Sequence, residues 1–161
     1  MRLFFLIIFT IVLSACSSSV PPQAETPSPS LDPVEPKNNA NADVLFVRAV
    51  EGEDRAWTFY VTVSHPDTGW EDYADGWDVV LPDGTVVLPD PSSPFTRLLT
   101  HPHESEQPFT RSQSGIIIPD GVEMVTVRAH DLVDGYGGQE VTVNLDQVDG
   151  LNFEVERQDQ S

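Results

Sequence analysis

Apolar residues recur at every second position over long stretches of this chain, and that spacing restricts its fold more than any other feature. Trp57, Phe59, Val61 and Val63 alternate with Thr58, Tyr60, Thr62 and Ser64, which places the first four on one face of a strand. Val125, Val127 and Ala129 alternate in the same way with Thr126, Arg128 and His130, and Val141, Val143 and Leu145 with Thr142 and Asn144. No segment of about ten or more residues carries the 3.6-residue period of a core helix. Leu81-Pro82-Asp83-Gly84-Thr85 and Ile118-Pro119-Asp120-Gly121-Val122 put proline where φ near −65° is wanted and glycine where φ turns positive. The pattern predicts an all-β sandwich of about seven antiparallel strands, over residues 45–49, 57–64, 77–81, 85–88 resuming at 96–100, 109–118, 122–130 and 139–145.

The N-terminus has a different grammar. Met1-Arg2 is followed by an apolar run from Leu3 to Leu13 and then by Ser14-Ala15-Cys16. One positive charge, a short apolar stretch and a small residue before the cut make a secretory signal over residues 1–15. At about 1.5 Å per helical residue the run is too short for the ~30 Å hydrocarbon layer. Leu13-Ser14-Ala15-Cys16 resembles the lipobox of bacterial lipoproteins, which implies a diacylglycerol on the Cys16 sulfur and two or three acyl chains. More than one chain anchors stably, at about 0.8 kcal/mol per buried CH₂. Cys16 is the single cysteine, so its lipidation leaves no thiol for a disulfide, a metal site or a nucleophile. Ser17 stands where the family's inner-membrane retention signal has aspartate, which favours an outer-membrane address in a cell that has one.

Residues 16–42 after the cut are rich in Pro, Ser and Asn and have no apolar periodicity, so they read as the lipidated cysteine and a disordered linker. The sandwich is expected over residues 43–157, with a disordered tail at 158–161. From Asp43 onward 6 basic residues face 23 acidic ones, a net charge of −17. Nucleic acid and anionic headgroups are repelled by such a surface. A solvated, salt-tolerant exterior and the binding of cations or a basic partner both account for it.

The string Val125-Thr-Val-Arg-Ala-His-Asp131, the glycine-rich Asp134-Gly-Tyr-Gly-Gly138 and Glu140-Val-Thr-Val-Asn-Leu145 resemble the last two strands of immunoglobulin-like and fibronectin type III-like domains. A broader resemblance, carried by His65-Pro-Asp-Thr-Gly-Trp-Glu-Asp-Tyr-Ala-Asp-Gly-Trp-Asp78, His101-Pro-His103, Glu106-Gln-Pro-Phe-Thr-Arg-Ser112 and Gly135-Tyr-Gly-Gly138, is to a group of small secreted bacterial proteins. It implies a compact module and no particular chemistry. Relative to that pattern, Leu88-Pro-Asp-Pro-Ser-Ser-Pro-Phe95 is an insertion.

In fibronectin-like order the connections 65–76, 101–108 and 131–138 emerge at one pole, which gathers all four histidines, His65, His101, His103 and His130, with many acids. Imidazole and carboxylate together suit zinc or copper, and His101-x-His103 offers two ligands from one extended segment, with Glu106 nearby. Two loop histidines stiffened by Pro102 explain the same residues without a metal. His65 continues the inward set of its strand and should cap the core; His101 and His103 are expected to be the more exposed pair. Asp67, Glu71, Asp72, Asp75 and Asp78 offer oxygens for calcium, although not in the spacing of a helix–loop–helix site. Trp70, Tyr73 and Tyr136 are candidate aromatic contacts for a glycan or protein partner, and Trp77 belongs to the core.

Catalysis has little in its favour. Gln113-Ser114-Gly115 lacks the first glycine of a nucleophile elbow and has no helix to receive it. His101, His103 and Glu106 are the one candidate set for a metal-dependent hydrolase. The sequence therefore points first to a lipid-anchored, non-catalytic binding or structural module of the cell envelope with no required cofactor. Second comes a zinc- or copper-binding protein using the His101-x-His103 loop, and third a hydrolase.

Overall fold

The alternating segments form strands that pack as two face-to-face sheets. The computed structural model describes residues 40–52 and 55–157. The expected signal segment 1–15, the lipidation site Cys16, linker residues 17–39 and the tail 158–161 lie outside the described residues. The strands in chain order are β1 (Asp43–Glu51), β2 (Ala56–Ser64), β3 (Ala74–Val80), β4 (Arg97–Leu98), β5 (Phe109–Ile117), β6 (Met124–Asp131), β7 (Val141–Asn144), β8 (Asp149–Gly150) and β9 (Phe153–Glu156). One sheet runs β5-β2-β1-β9-β8 and the other β4-β3-β6-β7.

Period-two burial builds the core as expected. Trp57, Phe59, Val61 and Val63 of β2 face Trp77 and Val79 of β3, Val125, Val127 and Ala129 of β6, and Val141, Val143 and Leu145 in and after β7, all within one buried cluster. In β1 the register against β2 slips between Val44 and Phe46, so the buried set changes phase from Val44 to Val47 and Ala49. Ala42, which the sequence leaves in the linker, is already part of the core.

Three features depart from the expected seven strands. The C-terminal β8 and β9 are additional, and β9 lies parallel to β1, so the first sheet is mixed. Residues 85–88 form no strand: the turn closes through Leu81 N to Thr85 O and Gly84 N to Leu81 O, but pairing stops at the single bridge Val80–Val86. Pro89 and Pro91 supply no amide for a ladder.

The inserted segment instead covers the outer face of β3. Phe95 packs so closely on Gly76 that a Cβ there would lie 2.2 Å from the ring. The buried Asp78 carboxylate accepts hydrogen bonds from Thr96 N at 3.0 Å and from the Tyr136 hydroxyl at 2.5 Å.

Candidate functional site

At two inward-facing positions at strand ends a titratable polar side chain stands where the core would otherwise continue apolar. His65 follows Phe59, Val61 and Val63 on the inner face of β2, and Asp131 follows Val125, Val127 and Ala129 on that of β6. The two strands belong to different sheets, so these residues meet across the end of the sandwich, with His65 Nε2 at 3.2 Å from Asp131 Oδ2.

The connection from β2 to β3 folds around this pair. Asp67 has a fully buried carboxylate that accepts from His65 Nδ1 at 2.7 Å, from the His103 amide at 2.5 Å and from the Ala74 amide at 3.3 Å. A tight turn, closed by Asp72 N to Gly69 O and Thr68 N to Asp72 O, brings Asp72 Oδ1 to 3.7 Å from His65 Nε2. Among the described residues, His65, Asp72 and Asp131 bring one ligand atom each within 4.8 Å of one another.

Asp131 stays ionised in this setting. Burial works against its charge, but the amides of Asp134 and Val133 donate to Oδ1 at 3.0 and 2.8 Å and, with His65, hold its pKa below the usual carboxylate value.

His101 and His103 lie at the same pole, their rings 4.5 Å apart, but they are not the exposed pair that the sequence suggests. His101 is exposed, whereas His103 is buried and stacks on Phe109 at 3.8 Å. The cause is Asp67, which captures the His103 amide and folds the loop under the sheet end. Neither ring nitrogen of His103 has a hydrogen-bond partner, and its Nδ1 lies 3.9 Å from Asp67 Oδ2. Burial, then the charges of Arg111 and His101, lower its pKa from the ordinary 6.5. Glu106 is drawn elsewhere, to Arg111 at 2.8 Å, and that hydrogen bond lowers its pKa.

Comparison with known proteins gives one relative in outline. The chain is 39% identical over 105 residues to a protein of Halomicrobium mukohataei named "Putative lipoprotein", a match covering 65% of this chain and 48% of that protein. The chain spans about half the length of that relative. No family model matches the chain, and no solved structure matches it.

The remaining candidates divide by location. His130 points outward as expected, donates from Nδ1 to Asp75 at 2.6 Å, and packs between Phe95 and Tyr136, so it does not join His65. Tyr136 is a strut more than an open contact: its hydroxyl is held by Asp78 and its ring lies under the Arg128 guanidinium at 3.8 Å. Burial, then the bond to Asp78, raises its pKa strongly. Trp70 is 68% exposed at the tip of its turn, edge-on to the half-buried Tyr73. Of the five acids considered for calcium, Asp67 serves two histidines, Asp75 His130 and Asp78 Thr96.

Asp67, Asp72 and Asp131 are the residues that sequence reasoning did not single out as a set with His65. The alternation 125, 127, 129 carried on one step identifies Asp131. Nothing comparable marks Asp67 or Asp72, whose positions depend on a turn.

Proposed function

We propose that the chain is a lipid-anchored lipoprotein of the cell envelope, which holds a non-catalytic acidic β-sandwich away from the membrane on the linker 17–39 for contact with a protein or glycan partner. Cys16 at the end of Leu13-Ser14-Ala15-Cys16 carries this reading. The likeness to a protein named as a lipoprotein supports it. The division of strands, β5, β2 and β1 in one sheet against β4, β3, β6 and β7 in the other, supports reading the sandwich as fibronectin-like. The non-catalytic part is supported by Ser114, which lies inside β5 and not on a strand-to-helix elbow. Exposed Trp70, beside His101 and Glu104 at the histidine-bearing pole, is the proposed contact point.

The test is fractionation of cells expressing Cys16→Ser. The unlipidated protein, if exported, is expected in the soluble fraction after a mild salt wash, while the wild type stays with the membranes until detergent is added. Equal membrane retention of the two would overturn the anchoring.

A further inference from the structure

We propose that His65, Asp72 and Asp131 form a binding site for a divalent ion of the zinc class, with Asp67 as the residue that orients the histidine. This goes beyond the anchoring reading and does not rest on it.

Asp67 holds one ring nitrogen of His65, Nδ1, at 2.7 Å, and the other, Nε2, stands 3.2 Å from Asp131 Oδ2 and 3.7 Å from Asp72 Oδ1. A carboxylate behind one ring nitrogen, fixing the other as a lone-pair donor, is the usual outer-shell support of a metal-binding histidine. Asp131 is prepared in the same sense, because two backbone amides occupy Oδ1 and leave Oδ2 facing the ring.

The distances suit a small ion. Bonds of about 2.0–2.2 Å in tetrahedral geometry separate ligand atoms by roughly 3.4 Å. Two of the three separations already stand near that value. Asp72, with a side chain 40% exposed, has room to close the third.

One imidazole nitrogen and two carboxylate oxygens match zinc and its neighbours, whereas calcium takes six to eight oxygens. His103, buried behind Asp67 with Nδ1 3.9 Å from its Oδ2, is not one of the ligands.

The experiment uses the full chain, purified without a tag in detergent and titrated with Zn²⁺ in a calorimeter. About one equivalent is expected to bind, and Asp72→Asn is expected to weaken binding by about tenfold or more, with an unchanged melting temperature in EDTA. His101→Ala should bind like the wild type. In the wild type, Zn²⁺ should shift the ring NMR signals of His65 and leave those of His101 in place, a readout that needs no variant to fold. Absence of saturable binding, unaltered binding by Asp72→Asn, or shifts confined to His101 would each overturn the proposal. Membrane fractionation does not enter the test, so its outcome is separate from that of the lipid anchor.

Discussion

His103 shows at the scale of one residue how a short contact can override a sequence expectation. Its ring lies flat on Phe109, and neither nitrogen meets a hydrogen-bond partner. Leaving a buried polar group unsatisfied costs about 1–3 kcal/mol, so His103→Phe, which keeps the ring and removes the nitrogens, is expected to match or exceed the wild type in stability at pH 7.5. The pH dependence gives the sharper test. Burial, Arg111 and His101 lower the His103 pKa from 6.5, opposed by Asp67 and Glu106, so in this range the folded chain binds fewer protons than the unfolded one. The stability due to the neutral ring is therefore complete above about pH 6.5 and is lost as the pH falls through the lower, folded value. Urea midpoints at pH 7.5 and 5.5 should show a smaller fall for His103→Phe than for the wild type; equal falls would refute the assignment. Alternation made the inward aim of His65 legible in the sequence. The burial of His103 was not legible, because it depends on an amide 36 positions from the carboxylate that captures it.

At the scale of elements, β9 carries the larger consequence. Phe153 and Val155 are buried against the core, and the strand pairs in parallel with Val47 to Val50 of β1. Full burial of each such side chain is worth about 1.5–3 kcal/mol, so the two together weigh heavily against a typical domain stability of about 5–15 kcal/mol. A chain ending at Gln147 is expected to be largely insoluble or to lose cooperative unfolding, with β1 left as an open edge. Retention of the wild-type melting transition, followed by circular dichroism, would show that β9 is dispensable. The long strands were readable because each repeats its apolar period several times. Phe153-Glu154-Val155-Glu156 offers only two apolar positions, and its parallel partner lies about a hundred residues earlier with no hairpin turn to announce it. The expected strand at 85–88 failed for the opposite reason, as the prolines that follow cannot donate to a ladder.

Over the whole molecule the acidic excess sets the remaining expectation. Arg48, Arg55, Arg111, Arg128 and Arg157 each already face a carboxylate, at Glu156, Asp120, Glu106, Asp78 and Asp146 respectively. With 6 basic residues against 23 acidic ones from Asp43 onward, most carboxylates are left to water and dissolved cations. Their mutual repulsion opposes the compact state, in which they are closer together than in the unfolded chain. Raising the ionic strength from about 0.01 M to about 1 M shortens the screening length from about 30 Å to about 3 Å and removes most of that repulsion. The melting temperature at pH 7.5 should therefore rise steadily with KCl, and NaCl at the same ionic strength should act alike, because screening does not distinguish the two ions. Asp72→Asn should follow the same curve, since it neutralises one charge among many, which separates general screening from the specific site at His65. A melting temperature that stays flat or falls across that range would mean that the carboxylates lie too far apart to repel, and that the acidic surface serves a partner and not the salt tolerance of the fold.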